Sequence, residues 1–247
     1  MVCYPNVKIN LGLNVLRARE DGYHDIETLF VPWFGFRDTL EIVPSERFRF
    51  VADVPWSNDL TVRAYELLRK EFDLPSVEIR LDKRSPVGAG LGGGSADAAF
   101  ALKALNDMFS LGLDEGALAA RAARLGSDCA FFIYNRPMFG TGRGELLEPF
   151  DCLPDAMEIK VEIPEGVSVS TAEAYRGIVP SVPAVPLKEA LLRPVGQWKD
   201  YVRNDFETTV FALHPEIEGL KRRFYDEGAA YASMSGSGSS VFGIFIR

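Results

Sequence analysis

The sequence predicts an α+β chain of two lobes, and three observations carry that expectation. Val7, Ile9, Leu11, Leu13 and Val15 alternate with Lys8, Asn10, Gly12 and Asn14, the period-2 pattern of a strand, whereas Leu60, Ala64, Leu67, Leu68 and Phe72 recur at helical spacing. A chain of 247 residues hides on the order of 70% of its unfolded surface, enough for two modest cores. Pro149 and Pro154 bracket a shift in composition, which divides the expected lobes at 1–150 and 151–247.

The opening strand places Lys8 and Asn10 on the face opposite its apolar one. Against solvent this is an ordinary edge strand; against a cleft it presents an ammonium and an amide side by side. Arg17 to His24 reads as a turn-rich loop punctuated by Asp21-Gly22, and strands are expected over 28–36, 38–43 and 47–51. A helix starts near Ser57 or Asn58, either of which can cap it. Val77, Ile79 and Leu81 then alternate with Glu78, Arg80 and Asp82, a strand that leads through Lys83 into a glycine-rich stretch. Strong helix formers without Pro predict helices over 96–109 and 115–125. Further on, 158–163 reads as a strand, 180–194 as a proline-rich connection and 216–226 as a helix. Tyr231–Met234 and Val241–Ile246 read as a closing hairpin.

Charge and counting narrow the function. Asp and Glu outnumber Lys and Arg by 35 to 27, a net charge of −8, so neither nucleic acid nor an anionic membrane is an expected partner. An anionic ligand would have to be held by local donors such as backbone N–H groups. The first residues lack a secretory pattern and no apolar run reaches about 18 residues, so a cytoplasmic location is expected. Cys3, Cys129 and Cys152 form no CxxC pair, and with two histidines a zinc site is not expected. The oligomeric state stays open.

Three segments carry chemistry. Pro86-Val87-Gly88-Ala89-Gly90-Leu91-Gly92-Gly93-Gly94-Ser95-Ala96 follows a strand and opens a helix, with five glycines in the seven positions from Gly88 to Gly94. Such a stretch loses much backbone entropy on folding. It suits close approach of backbone N–H groups to phosphate at a helix N-terminus; the plainer alternative is a flexible strand-to-helix loop. No Gly-Lys-Ser/Thr follows, so it is not a Walker A loop. Asp128 stands alone as a carboxylate in the apolar run Leu125 to Phe132. It reads either as a turn or helix cap or, with a cationic partner such as Lys8, as a proton acceptor for a hydroxyl. Ser235-Gly236-Ser237-Gly238-Ser239 is a Ser/Gly turn between apolar strands.

Taken in order, Pro5 to Leu11, Pro86 to Ala99 and Met234 to Ser239 resemble the three motifs of the GHMP kinase superfamily. Asp21-Gly22-Tyr23-His24, Leu125-Gly126-Ser127-Asp128 and Asn204-Asp205-Phe206-Glu207 narrow the likeness to the branch that phosphorylates 4-diphosphocytidyl-2-C-methyl-D-erythritol. The resemblance covers most of the chain. It implies a ribosomal S5 domain 2-like N-terminal lobe, a ferredoxin-like C-terminal lobe, and transfer of the γ-phosphoryl group of ATP to the 2-hydroxyl of that cytidine diphosphate substrate, with Mg²⁺, in the non-mevalonate route to isoprenoids. On the same likeness Asp128 accepts or orients the hydroxyl proton and Lys8 fixes Asp128. The loop from Pro86 to Ala96 holds the phosphates, with Ser95 the protein oxygen near the metal. Asn58 lies near the adenine. Asn10, Tyr23, His24, Thr171 and Tyr175 surround the cytidine, with Tyr23 and Tyr175 on its two faces, and Gly236, Ser237 and Gly238 form the C-terminal glycine motif.

Asp97 departs from the pattern, standing where the family often has an uncharged Asn. Near the phosphate loop it opposes nucleotide charge unless its side chain points away. Two alternatives remain beside the leading reading. One is another GHMP kinase, of mevalonate, homoserine or galactose type; the other is a non-catalytic nucleotide-binding protein of the same fold.

Overall fold

In the computed structural model, which describes residues 1–53, 58–154 and 156–246, the chain begins with strands β1 (Val2–Cys3), β2 (Asn6–Ala18), β3 (His24–Arg37), β4 (Thr39–Pro44) and β5 (Arg49–Ala52). Helix α1 (Leu60–Phe72), strand β6 (Val77–Asp82) and helices α2 (Gly93–Met108), α3 (Glu115–Ala122) and α4 (Cys129–Tyr134) follow. The remainder runs β7 (Met138–Thr141), β8 (Leu146–Pro149), β9 (Met157–Glu162), α5 (Thr171–Tyr175), α6 (Leu187–Leu191), α7 (Trp198–Tyr201), α8 (Phe206–Leu213), α9 (Pro215–Asp226), β10 (Tyr231–Met234) and β11 (Val241–Ile246).

Two compact units form: Met1–Lys8, Pro32–Val87 and Gly92–Arg136 make the first, and Ile9–Val31, Gly88–Leu91 and Pro137–Arg247 the second. They do not divide by a single cut at 150/151. The reason is a sheet of order β2-β3-β7-β8, which draws residues 9–31 to the hairpin at 138–149.

In the first unit β1, β4 and β6 are antiparallel neighbours and β5 lies parallel to β6. Helix α2 packs against α1, α3, α4 and β4. Its buried residues are mostly alanines, whose small side chains let the neighbouring helices approach closely, yet a charged one, Asp97, is buried among them. The helix begins at Gly93, three residues before its expected start, because Gly92 supplies a left-handed N-cap, φ +73°. Asp97 is therefore its fifth residue, past the first turn. Helix α1 is capped by Asp59, whose carboxylate accepts from the Thr61 N–H at 2.7 Å. Of the two expected caps, Asn58 lies one residue too early and Ser57 falls outside the described residues.

In the second unit β10, β11 and β9 form an antiparallel sheet on which α9 packs. Leu13 and Val15 of β2 join Phe206, Phe224 and Met234 in one apolar cluster. Strand β2 is buried on both faces from Asn6 to Val15, not on one as its alternation suggested. Lys8 and Asn10 are thus interior polar groups that need partners. The closing hairpin stands where expected. The helix α6 lies inside the proline-rich connection and α4 follows Asp128, both too short for periodicity to reveal. Among the described residues no helix is long and apolar enough to cross a membrane.

Candidate active site

In the first unit Lys8, 3% exposed, meets Asp128 at 3.3 Å. Burying an ammonium is expensive unless a carboxylate compensates it, so the pair explains how β2 can carry a lysine inside. Asp128 sits at the N-cap position of α4 but makes no capping hydrogen bond; its side chain turns to Lys8 and stays 29% exposed. The cap alternative therefore fails on geometry. What remains is an oriented, partly accessible carboxylate beside a fixed cation, suited to taking a proton from a hydroxyl.

The glycine segment alternates left-handed glycines with buried anchors. Gly88, Gly90 and Gly92 have φ of +72°, +74° and +73°, while Ala89 and Leu91 between them are buried. In the second unit the Ser240 N–H and hydroxyl both donate to the Ala89 carbonyl, at 3.1 and 2.6 Å, and the Ser235 hydroxyl donates to the Gly90 carbonyl at 3.1 Å. Ser235 Oγ also accepts from the Asn10 N–H at 3.1 Å. The Ser/Gly turn is itself held: Asn204 Nδ2 donates to the Met234 and Gly236 carbonyls, both at 2.8 Å, and Glu207 accepts from the Ser233 hydroxyl and the Met234 N–H, both at 2.9 Å.

In the first unit successive glycines face different ways. A Cβ on Gly92 would lie 3.1 Å from Lys8 Cε, one on Gly93 would lie 2.3 Å from Ser85 Oγ, and one on Gly94 would meet nothing within 4 Å. No side chain caps α2. Its first N–H groups, at Gly93, Gly94 and Ser95, therefore lack helical acceptors and suit an anion.

Around Tyr23 the second unit gathers rings and charges. Tyr23 is 57% exposed, with the Arg143 guanidinium 4.8 Å from its ring centroid. Asp21 accepts from the Tyr23 N–H at 3.1 Å. That bond, and Arg19 beside it, hold the Asp21 carboxyl below the ordinary carboxylate range. The His24 ring stacks on Tyr175 at 4.7 Å and 22°, and Phe206 meets Tyr175 edge-on. Tyr175 is thus partly engaged within the protein. Asn10 Nδ2 donates to Thr28 Oγ1 at 3.1 Å, and Thr171 Oγ1 lies 3.4 Å from Ser237 Oγ. Asn58 is exposed in the turn before α1, and Val87 is exposed beside Pro86.

Asp97 points away from the open side of the glycine segment. Its carboxylate lies 2.6 Å from Lys83 Nζ, which also contacts Asp38 at 2.5 Å. Burial pushes the Asp97 carboxyl up to about 8 against the opposing effect of Lys83, and Asp38 raises it further. The unfolded chain releases this proton near 3.8, so between the two values the native state is the better proton binder. Stability from this group accordingly falls as pH rises through that window and is level above it. Asp97→Asn is expected to gain urea resistance over the parent progressively from about pH 4 to about pH 8 and to keep a constant advantage above that. A pH-independent difference between the two would contradict the burial argument.

Residues 59–136 match the GHMP kinases N terminal domain and residues 187–247 the GHMP kinases C terminal domain. A 4-diphosphocytidyl-2-C-methyl-D-erythritol kinase of Parabacteroides distasonis is 49% identical, over 99% of this chain and 92% of that protein. One of Bacteroides fragilis is 48% identical over the same shares. The chain belongs to the 4-diphosphocytidyl-2-C-methyl-D-erythritol kinase family of GHMP kinases. A solved structure described as a 4-(cytidine 5′-diphospho)-2C-methyl-D-erythritol kinase superposes with a TM-score of 0.83 at 35% identity, covering 98% of this chain and 89% of that one. The fold is the two-domain α+β fold of the GHMP kinases. A homoserine kinase of Cytophaga hutchinsonii shares it at a TM-score of 0.67 but only 18% identity, a likeness of fold alone.

The sequence motifs leave out the residues that support these segments in the fold. Lys83, Asp38 and Arg143 were missed, since nothing in their local pattern distinguishes them from surface charge. Asn204 and Glu207 were visible as a motif, and only the fold reveals that they hold the Ser/Gly turn.

Proposed function

We propose that the chain transfers the γ-phosphoryl group of ATP to the 2-hydroxyl of 4-diphosphocytidyl-2-C-methyl-D-erythritol, a step of the non-mevalonate route to isoprenoid precursors, in the cytoplasm. The observation that carries the chemistry is the 3.3 Å contact between Lys8 and the partly exposed Asp128. Asp128 orients the acceptor hydroxyl and takes its proton as the oxygen bonds to phosphorus, and ADP departs with the electrons of the broken bond. Lys8 keeps Asp128 ionised and aimed, and offsets charge on the transferring group. The N–H groups at the start of α2 hold phosphate oxygens, and Asn58 lies toward the adenine.

Among the described residues no three His, Cys, Asp or Glu side chains cluster as a metal cage. Mg²⁺ needs no such cage, since it binds through nucleotide phosphates and water with few protein ligands. Ser95 would be its protein oxygen, and the ion supplies neutralisation of phosphate charge when bound.

Tyr23 offers its ring to the pyrimidine, with His24, Tyr175, Thr171 and Asn10 completing the cytidine contacts and the Arg143 cation suited to the diphosphate. The net charge of −8 favours a small-molecule ligand over nucleic acid or an anionic membrane. Tyr23→Ala is expected to weaken binding of the cytidine substrate by roughly 1–3 kcal/mol through lost stacking, with ADP binding unchanged, as measured by titration calorimetry. An equal loss for both ligands would mean general damage. The function itself is tested by ADP release with ATP and Mg²⁺ in the presence of the cytidine substrate, mevalonate, homoserine or galactose. Turnover is expected with the cytidine compound alone; ATP binding without turnover on any acceptor would support the non-catalytic alternative.

A further inference from the structure

We infer that Lys83 and Asp97 form a buried tie that fixes the first turn of α2, and that both are positioning residues for the phosphate groups held there. The inference rests on the nucleotide reading of the glycine segment given above.

Lys83 Nζ lies 2.5 Å from Asp38 Oδ2 and 2.6 Å from Asp97 Oδ2, with all three side chains buried. Asp38 is anchored in turn: its Oδ1 accepts from the N–H groups of Arg84 and Ser85, and its Oδ2 from the Ser85 hydroxyl, each at 2.6 Å. The ammonium is therefore fastened on one side to the chain leaving β6 and on the other to α2. Asp97 follows Gly93 by four residues, and helical side chains lean back toward the N-terminus, so its carboxylate grips the turn that Gly93 begins. Spacing agrees. A Cβ on Gly93 would sit 2.3 Å from Ser85 Oγ and 3.2 Å from Lys83 Nζ, so the backbone of that turn rests directly on the tie.

The first turn has reason to need such support. Gly93 and Gly94 each disfavour a helix relative to Ala, and no side chain caps them. Left alone, that end frays. The cluster is also a costly way merely to fill space: one ammonium faces two carboxyl groups, and Asp97 Oδ1 has no hydrogen-bond partner. Apolar side chains would pack as well. A bridged pair of oxygens fixes direction as well as distance, which apolar contact does not.

The test compares Asp97→Asn with Asp97→Ala. Both remove the ionisable carboxyl group and leave Lys83 paired with Asp38, so neither strands a buried ammonium; only Asn keeps an oxygen for Lys83. The Ala variant is expected to bind ADP about tenfold more weakly than the Asn variant and to show a matching rise in KM for ATP, with kcat and KM for the cytidine substrate held within about twofold. Amide exchange at residues 93–96 is expected to be about tenfold faster in Ala than in Asn, with β10 and β11 unchanged. Equal ADP affinity and equal exchange in the two variants would overturn the tie. Joint loss of ADP and cytidine affinity with faster exchange throughout would overturn positioning in favour of general support. Because ADP binding and exchange need no turnover, a parent protein that binds ADP without phosphorylating the cytidine substrate refutes the functional reading while the tie is still decided.

Discussion

Asp128→Asn is expected to lower kcat by on the order of 10²-fold or more while ADP and the cytidine substrate bind within about twofold of the parent. The amide keeps the shape of the carboxylate and its oxygen still accepts from Lys8, so the 3.3 Å contact has a neutral counterpart. What is lost is a site for the proton of the acceptor hydroxyl as the phosphorus–oxygen bond forms, which removes a transition-state interaction and spares ground-state binding. Lys8, 3% exposed, then faces an uncharged partner, and some stability goes with it. Asp128 is partly exposed, so water screens the remaining ammonium and the variant is expected to fold. Single-turnover kinetics with thermal melts separate the two effects. Near-normal turnover would remove Asp128 from the mechanism and leave Lys8 a structural ion pair.

The legible parts of this chain are those where chemistry constrains several consecutive residues. Five glycines within seven positions declare a close backbone approach, and the strand and helix flanking them follow from period alone. Lys8 stood out for its place in an apolar alternation, but that Asp128 meets it across 120 positions of sequence is a fact of folding. Strand β2 misled in one respect. Its alternation left the polar face open to either solvent or a cleft, yet both faces are buried from Asn6 to Val15, where Asn10 is bonded to Thr28 and Lys8 to Asp128. The strands β7 and β8 have four residues each, too few for a pattern; Gly140 in β7 is required because a Cβ there would lie 2.5 Å from the Phe30 ring. Asp97 looked like a liability beside bound phosphate, and only the positions of Lys83 and Asp38 reveal that its charge is turned inward.

Two glycines of the same segment should fail in opposite ways when a methyl group is added. Gly90→Ala places a Cβ 2.1 Å from the Ser235 carbonyl oxygen, a backbone atom that cannot swing aside, at a residue with φ +74°. The left-handed conformation alone costs a non-glycine residue about 1 kcal/mol, and the collision adds to it, so a stability loss of roughly 2–3 kcal/mol is expected. Gly94→Ala is the opposite case. Its Cβ meets no atom within 4 Å and the residue is helical, so Ala is expected to raise stability by up to about 1 kcal/mol. On the proposed reading, that methyl group adds bulk beside the N–H groups that hold phosphate at the start of α2, and ADP affinity is expected to fall on the order of 10–10²-fold. Urea unfolding and ADP titration on both variants decide the matter. A more stable Gly94→Ala protein with weak ADP binding would mark the start of α2 as the phosphate site, whereas undiminished ADP binding would move the phosphates elsewhere.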